Sequence, residues 1–170
     1  MTTVVCDASP LIFLAKLDRL TLIGSLLGGE VVVLQGVVAE VLAPAENFHA
    51  EQQRLREFLG SIRIVTIPEP TQPSGRLSAS DARTLAYAVR HCADWLVADE
   101  RLLRRIAAHE GIATIGTLGL LVLAARRGLL TGQEAMADVD TAVSSHHLRI
   151  SIALYRDIRR ELLEVDASAG

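Results

Sequence analysis

Short apolar runs rich in β-branched residues alternate with amphipathic segments of helical period along most of this chain. The five runs are Thr3–Cys6, Val31–Leu34, Ile62–Ile67, Trp95–Ala98 and Ala113–Ile115. Short apolar strands that alternate with amphipathic helices are typical of a parallel sheet with helices on both faces. The alternation therefore predicts an α/β fold in which neighbouring strands run in the same direction.

The length and the tail of the chain bound the number of domains. With 170 residues, half of them hydrophobic, the chain can build one substantial core and is too short for two ordinary domains. We predict a single domain over residues 1–170. Its C-terminal helices, about 132–164, carry an apolar stripe and are expected to pack on that domain or to form an oligomer or partner surface.

Cysteine usage and hydropathy predict the compartment. Cys6 falls in a predicted strand and Cys92 near the end of a predicted helix, so both are expected to be buried core thiols in a reducing compartment. The longest apolar stretch, Ile112–Ala125, stops short of the roughly 20 residues that a membrane helix needs. We therefore expect a soluble, cytoplasmic protein that makes no membrane contact.

Acidic residues follow or lie close behind the predicted strands. Asp7 ends the first strand, Glu40 lies on the helix after the second, and Asp81 opens the helix after the third. Asp99 ends the fourth strand, and the adjacent Glu100 is a fifth candidate. The carboxyl ends of parallel strands meet at one edge of a sheet, so these side chains are expected to form one acidic site.

A cluster of carboxylates calls for a cation. Crowded carboxylates repel one another and their pKa values rise unless a cation lies among them. Mg²⁺ and Mn²⁺ prefer oxygen ligands, whereas zinc would need a His or Cys cluster that the sequence does not offer. Such a site suits in-line displacement at a phosphoryl group, and the reaction that it fits best is phosphodiester hydrolysis.

Each acid also has a simpler interpretation. Asp99 can cap the following helix, Asp81 can favour a helix N-terminus, and Glu40 can be a solvated helix residue. Asp7 is harder to explain in this way, because Ser9 is already available as the cap of the first helix. Its charge at the end of an apolar strand indicates a functional role.

Hydroxyl and arginine side chains supplement the acids. Ser9 and Thr117 each follow a strand, where they act as helix caps or bind a water or phosphate oxygen. With 17 basic and 20 acidic residues the net charge is −3, so any polyanion must be bound locally. Most arginines of the helix after Glu100 fit a solvated helix face, and we select Arg101 and Arg105 for contacts to phosphate groups.

Several motifs in this order and spacing resemble a PIN domain, and more narrowly the PIN-like relatives of VapC ribonuclease toxins. The motifs are Asp7-Ala8-Ser9-Pro10-Leu11-Ile12, Glu40, Ser80-Asp81-Ala82, Val97-Ala98-Asp99-Glu100-Arg101 and Gly116-Thr117-Leu118-Gly119-Leu120-Leu121. The resemblance covers nearly the whole chain. Two positions depart from the relatives, which commonly carry a Gly-Glu pair near Asp81 and a second Asp at Glu100.

The resemblance implies a three-layer α/β/α sandwich with a mainly parallel five-stranded sheet and Mg²⁺- or Mn²⁺-dependent cleavage of single-stranded RNA. It also implies a cognate antitoxin that masks the site, and a homodimer. Asp7, Glu40, Asp81 and Asp99 match the acidic catalytic and metal-binding positions, and Ser9 and Thr117 match the polar ones.

Two alternatives remain open at this point. A phosphohydrolase of the haloacid dehalogenase type also uses an Asp after its first strand, but it usually carries a second Asp where this chain has Ser9. A non-catalytic PIN-like interaction protein would use the apolar stripe of the last helix, which includes Leu154, Ile158 and Leu162, as a partner surface.

Overall fold

The computed structural model describes residues 1–43, 49–67 and 77–168. Within it the chain divides into two compact units, Met1–Thr117 and the part from Leu118 onward. The acidic candidates all belong to the first unit.

The first unit is built on a sheet of five parallel strands in the order β3-β2-β1-β4-β5. The strands are β1 (Thr3–Cys6), β2 (Glu30–Leu34), β3 (Arg63–Val65), β4 (Trp95–Val97) and β5 (Ala113–Ile115). The predicted parallel sheet is confirmed, and every pair of neighbouring strands is parallel. The third strand is shorter than the predicted Ile62–Ile67, because Ile62 and Ile67 lie outside the hydrogen-bonded ladder with β2.

Helices connect the strands. They are α1 (Ala8–Lys16), α2 (Thr21–Leu27), α3 (Gln35–Val41), α4 (His49–Gly60), α5 (Ala79–Arg90) and α6 (Arg101–His109). Right-handed crossovers place the helices between β1 and β3 on one face and those between β3 and β5 on the other. In agreement, α1 packs against α3 and α4, and α5 packs against α6. This arrangement confirms the three-layer α/β/α prediction.

The strand order locates the functional edge of the sheet. From β1 the chain steps outward to β2 and β3, and then returns to the other side of β1 with β4 and β5. Ligands of open parallel sheets bind at the carboxyl ends of the strands, where this reversal leaves a crevice. Here the reversal lies between β1 and β4, so Asp7 and Asp99 flank it.

Burial explains why the central strands are continuous apolar runs. Val4 and Val5 of β1, Val32 of β2 and Leu96 of β4 have no exposed surface, because helices cover both faces of the sheet. The edge strands β3 and β5 are half-buried or exposed. The buried centre holds the ends of β1 and β4, and the residues that follow them, in fixed positions.

The second unit consists of helices. These are most of α7 (Thr117–Arg126), α8 (Gly132–Ser144) and α9 (Ile152–Ser168). Thr131 and Glu134 form a reciprocal capping box at the start of α8, which packs against α9. Of the predicted apolar stripe, Ile158 and Leu162 are buried, whereas Leu154 is exposed.

The expectation that both cysteines are buried was wrong for Cys92. Cys6 is buried in β1, but Cys92 is exposed in the turn after α5, with a positive φ of 48°. Cys92 is exposed because it lies in the turn between the end of α5 and Ala93, where the chain becomes buried again. In the described part of the chain, no helix is both long enough and apolar enough to cross a membrane.

Candidate active site

Asp7 lies directly after β1 and immediately before α1. Its backbone N–H donates to the carbonyl oxygen of Val97 at 2.9 Å, which continues the pairing of β1 with β4. The side chain is only 4% exposed, it makes no capping hydrogen bond to α1, and its buried Oδ1 atom has no hydrogen-bond partner. A buried carboxylate oxygen without a partner is costly to the fold, so the position points to a ligand.

Burial and nearby negative charges both act on the carboxyl group of Asp7. Burial raises the pKa of Asp7 to about 7, and the negative charges of Asp81, Glu40 and Asp99 add to the rise, while a hydrogen bond from the Ala8 backbone opposes it. Carboxylates affect one another in this way only when they share a site. The charges of the other three predicted acids therefore act on the Asp7 carboxyl group.

Asp99 is held by Thr117. Its Oδ1 atom accepts from the Thr117 backbone N–H at 2.7 Å, and its Oδ2 atom accepts from the Thr117 hydroxyl at 2.6 Å. Thr117 is fully buried at the first residue of α7, where a backbone N–H has no partner within its own helix. The pair fixes the orientation of the Asp99 carboxylate and still leaves lone pairs on both oxygens for a ligand.

Gly116 makes room for this carboxylate. A Cβ atom at this buried position would lie 2.7 Å from Asp99 Oδ1, 3.2 Å from the Ala98 carbonyl oxygen and 3.2 Å from Arg104 Nη1. A side chain here would displace Asp99, so glycine is required by the close approach. The same position lies close to the Arg104 guanidinium, so Gly116 also makes room for that side chain.

Glu40 and Asp81 complete the acidic set from two helices. Glu40 is exposed on α3, and its Oε2 atom accepts from the Ser80 hydroxyl at 3.2 Å. Asp81 is half-buried in the first turn of α5, which is capped by Ser78 through a bond from the Asp81 backbone N–H at 3.0 Å. Ser78, not Asp81, therefore caps α5, and the Asp81 carboxylate is left to act on Asp7.

Glu100 has a structural role. It is the N-cap of α6, and its Oε1 atom accepts from the Leu102 backbone N–H at 3.1 Å. The simpler interpretation of Asp99 as the cap of this helix was therefore wrong, because the neighbouring residue takes that position. The expectation that Ser9 caps α1 was wrong, because Asp7 occupies the N-cap position and Ser9 lies half-buried in the first turn of the helix.

Arg101 and Arg105 are exposed on α6. Sequence reasoning passed over Arg104 of the same helix, which is half-buried and whose Nη1 atom would lie 3.2 Å from a Cβ at Gly116. Helical period alone did not distinguish the three, because the position of Asp99 depends on its bonds to Thr117.

The carboxylates of the site are candidate ligands for a divalent cation. Among the described residues, no three of the His, Cys, Asp and Glu side chains lie close enough together to hold a metal ion as they stand. The donor chemistry nevertheless fits Mg²⁺ or Mn²⁺, since the site offers carboxylate oxygens and one of them, Asp7 Oδ1, is buried without a partner. The candidate ligands are Asp7, Asp99, Glu40 and Asp81.

Fold and site together define an α/β protein with an acidic site at the reversal point of a parallel sheet. A family model for a PIN domain, DUF3368, matches residues 3–164. The chain therefore belongs to the PIN-domain family, whose members are generally nucleases and generally use divalent metal ions. The haloacid dehalogenase alternative consequently loses its support.

One solved structure shares the fold, and a second is similar to a lesser degree. A PilT N-terminus domain protein from the hyperthermophilic archaeon Sulfolobus solfataricus P2 is similar with a TM-score of 0.51 and 15% sequence identity, over 70% of this chain and 90% of that chain. A domain of a functionally unknown protein from Methanocaldococcus jannaschii has a TM-score of 0.46 and 18% identity, over 68% of this chain and 91% of that chain. No curated protein sequence matches this chain.

Proposed function

We propose that this protein is a Mg²⁺- or Mn²⁺-dependent endoribonuclease that hydrolyses phosphodiester bonds in single-stranded RNA. The observation that carries the proposal is the buried, unpartnered Oδ1 atom of Asp7, which lies where three other carboxylates act on it. Membership of a family of nucleases supports the reaction class.

The four acids have different proposed roles in binding the cation. Asp7 and Asp99 are the proposed direct ligands of the cation, and Glu40 and Asp81 complete its shell directly or through water. A bound divalent cation would activate a water molecule and stabilise the charge that develops on the phosphoryl group. Thr117 holds the Asp99 carboxylate by two hydrogen bonds, so that this ligand is oriented before substrate arrives.

Protonation of Asp7 regulates its availability. With a pKa near 7, the metal-free carboxyl group holds a proton through the mildly acidic range. Binding of a cation requires the ionised form, and it therefore competes with this proton. Ionisation also leaves Asp7 able to accept a hydrogen bond from a water molecule at the edge of the sheet.

Arginines of α6 supply the contacts to the RNA backbone in this proposal. The net charge of −3 gives no general attraction to RNA, so contacts must come from individual cations. Arg104 lies close to Gly116, and Arg101 and Arg105 are exposed on the same helix, where phosphates that flank the cleaved bond can reach them.

The resemblance to VapC supports a further part of the proposal. We propose that the protein acts in the cytoplasm as the toxin of a type II toxin–antitoxin pair, binds a cognate antitoxin and forms a homodimer. The exposed apolar side chains of α9, with Ile152 at 72% and Leu163 at 63% exposure, offer a surface for such contacts.

A metal titration with RNA tests the proposed activity. Purified protein is incubated with a labelled single-stranded RNA in EDTA, Mg²⁺ or Mn²⁺, and its thermal unfolding is followed under the same conditions. We expect cleavage only with the metals, and a higher unfolding temperature, since saturation to 100 times Kd adds about 2.7 kcal/mol to the free energy of unfolding. The absence of both cleavage and a thermal shift would favour the non-catalytic interaction protein.

A further inference from the structure

A cleft of about 290 Å³ opens beside the acidic site within the first unit. Its walls come from the start of α3, the residues after β3 and the first turns of α5, and they include Gln35, Gly36, Val37, Ile67, Arg83 and Thr84. The cleft lies at the carboxyl ends of β2 and β3, on the same edge of the sheet as Asp7.

The cleft and the acidic site share Glu40. Glu40 lines the cleft, and so does Ser80, whose hydroxyl donates to Glu40 Oε2. The charge of Glu40 also acts on Asp7, so one carboxylate belongs to both places. A substrate group in the cleft would therefore lie next to a bond that is cleaved at Asp7.

Thr84 shows that the cleft is built to hold something polar. Its side chain has no exposed surface, and its buried Oγ1 atom has no hydrogen-bond partner. A buried hydroxyl is rarely left unpaired, because it loses its bonds to water and gains none in return. A ligand group in the cleft would supply the missing bond.

The other walls combine apolar and polar side chains. Leu34, Val37 and Ile67 contribute apolar side chains to the lining, and Gln35 and Arg83 bring hydrogen-bonding side chains to the same cleft. Apolar walls with a few placed polar groups are the pattern by which proteins hold the unstacked bases of single-stranded RNA.

We propose that this cleft binds the nucleobase of the RNA nucleotide next to the cleaved phosphodiester bond, and that Thr84 donates or accepts a hydrogen bond at the base edge. The volume, close to the lower limit of about 300 Å³ for ligand pockets, suits one base and little more. This inference rests on the proposed ribonuclease function. It adds that the cleft, which Glu40 shares with the acidic site, gives cleavage a preference for one base.

Nucleotide binding without metal tests the inference apart from catalysis. Wild type, Thr84→Val and Gly36→Phe are titrated in EDTA with each of the four ribonucleoside 5′-monophosphates, and binding is followed by NMR. Thr84→Val keeps the shape and removes the hydroxyl, whereas Gly36→Phe fills the cleft from a position where a Cβ would meet no atom within 4 Å. Thr141→Val on α8, whose hydroxyl bonds to the Ala137 carbonyl, is the matched control.

We expect at least one nucleotide to bind the wild type. Its affinity should fall about threefold to tenfold in Thr84→Val, as for the loss of one neutral hydrogen bond, and more in Gly36→Phe, while the control stays at the wild-type value. The unfolding temperature of Thr84→Val should be unchanged or higher, because an unpaired buried hydroxyl has been replaced by a methyl group. A lower unfolding temperature together with unchanged binding would overturn the inference by assigning Thr84 to the fold.

Cleavage of an RNA of random sequence with Mn²⁺ separates the two proposals. If the wild type cleaves this RNA and the cleft variants change neither nucleotide affinity nor the bases beside the cuts, the cleft inference fails and the ribonuclease proposal stands. If nucleotides bind through Thr84 but no RNA is cleaved, the nucleobase site stands and the ribonuclease proposal fails.

Discussion

Acidic side chains stand at both edges of the same sheet, and their surroundings differ. At the amino edge, Asp94 Oδ2 accepts from the Thr3 backbone N–H at 2.8 Å, and Glu30 pairs with Arg63 at 3.1 Å. At the carboxyl edge, Asp7 is buried, its Oδ1 has no partner, and other carboxylates surround it. The amino edge satisfies its acids from within the fold, whereas the carboxyl edge leaves one of them unsatisfied.

This contrast separates structural from functional acids more clearly than residue type does. Asp94 precedes β4 and Asp7 follows β1, so both lie at the end of a short apolar run in the sequence. The difference is whether a buried carboxylate oxygen is left without a hydrogen-bond partner, as Asp7 Oδ1 is. A fold retains an unsatisfied buried carboxylate at a cost to its stability, and a bound cation offsets that cost.

Of the substitutions at the two edges, Asp7→Asn should have the largest effect on RNA cleavage and on metal binding. We expect the loss of detectable Mn²⁺-dependent RNA cleavage and of the thermal shift with Mn²⁺, because a proposed direct ligand has become neutral. In EDTA above about pH 7 the variant should unfold at a higher temperature than the wild type, since a buried charge with a raised pKa has been removed. Cleavage at the wild-type rate would contradict the assignment of Asp7.

Gly116→Ala should lower the rate of cleavage by displacing the Asp99 carboxylate at the carboxyl edge. The new Cβ would lie 2.7 Å from Asp99 Oδ1 and 3.2 Å from the Ala98 carbonyl oxygen, so the carboxylate must move. A displacement of about 1 Å in a site of this kind can lower the rate about 100-fold. We expect that loss in single-turnover cleavage, with a lower unfolding temperature.

Gly24→Ala is the control for Gly116→Ala. Gly24 lies within α2, and a Cβ there would meet no atom within 4 Å. We expect wild-type cleavage and a gain in the free energy of unfolding of about 0.5–1 kcal/mol, because alanine favours a helix over glycine. An equal loss of activity in both variants would show that the close approach of Gly116 to Asp99 is unimportant.

The stability of the metal-free protein should depend on pH through Asp7. Its folded pKa of about 7 lies above the ordinary value of 3.8, so the folded state binds more protons than the unfolded state between these values. The contribution of Asp7 to stability is therefore present below about pH 4, is lost as the pH rises to 7, and changes little above that. Urea unfolding in EDTA from pH 4 to 8 measures this contribution. In Asp7→Asn the free energy of unfolding should change less between pH 4 and 7 than in the wild type.

Asp94→Ala should have the smallest effect and act on the fold alone. It removes the acceptor of the Thr3 backbone N–H at the amino edge, where water can replace it. We expect a loss of about 0.5–1.5 kcal/mol in the free energy of unfolding, measured with urea, and unchanged RNA cleavage. A loss of cleavage comparable with that of Asp7→Asn would break the distinction between the two edges.

Much of the fold could be predicted from the sequence because its signals are local. The apolar runs of β1, β2 and β4 are buried on both faces, and such runs differ in composition from the helices between them. Asp7 was predictable for the same reason, since a charge that ends a buried run has few structural explanations. The ends of β3 and α9 were less predictable, because ladder pairing and helix fraying depend on neighbours.

The roles of the other site residues depended on contacts between distant segments. Asp99 and Glu100 are adjacent acids with similar local signals, yet one accepts from Thr117 and the other caps α6. The proximity of Arg104 to Gly116 and the unpartnered hydroxyl of Thr84 have no local signature in the sequence.

The sequence by itself determined the parallel α/β architecture and the acidic character of the site, because periodicity and the end of an apolar run are properties of neighbouring residues. The tertiary structure decided which carboxylates are satisfied and which remain unpaired. It also decided that a cleft with a buried hydroxyl adjoins them. The physical reason is that satisfaction of a buried polar group depends on donors brought from elsewhere in the chain, at distances that only the packed sheet and helices fix.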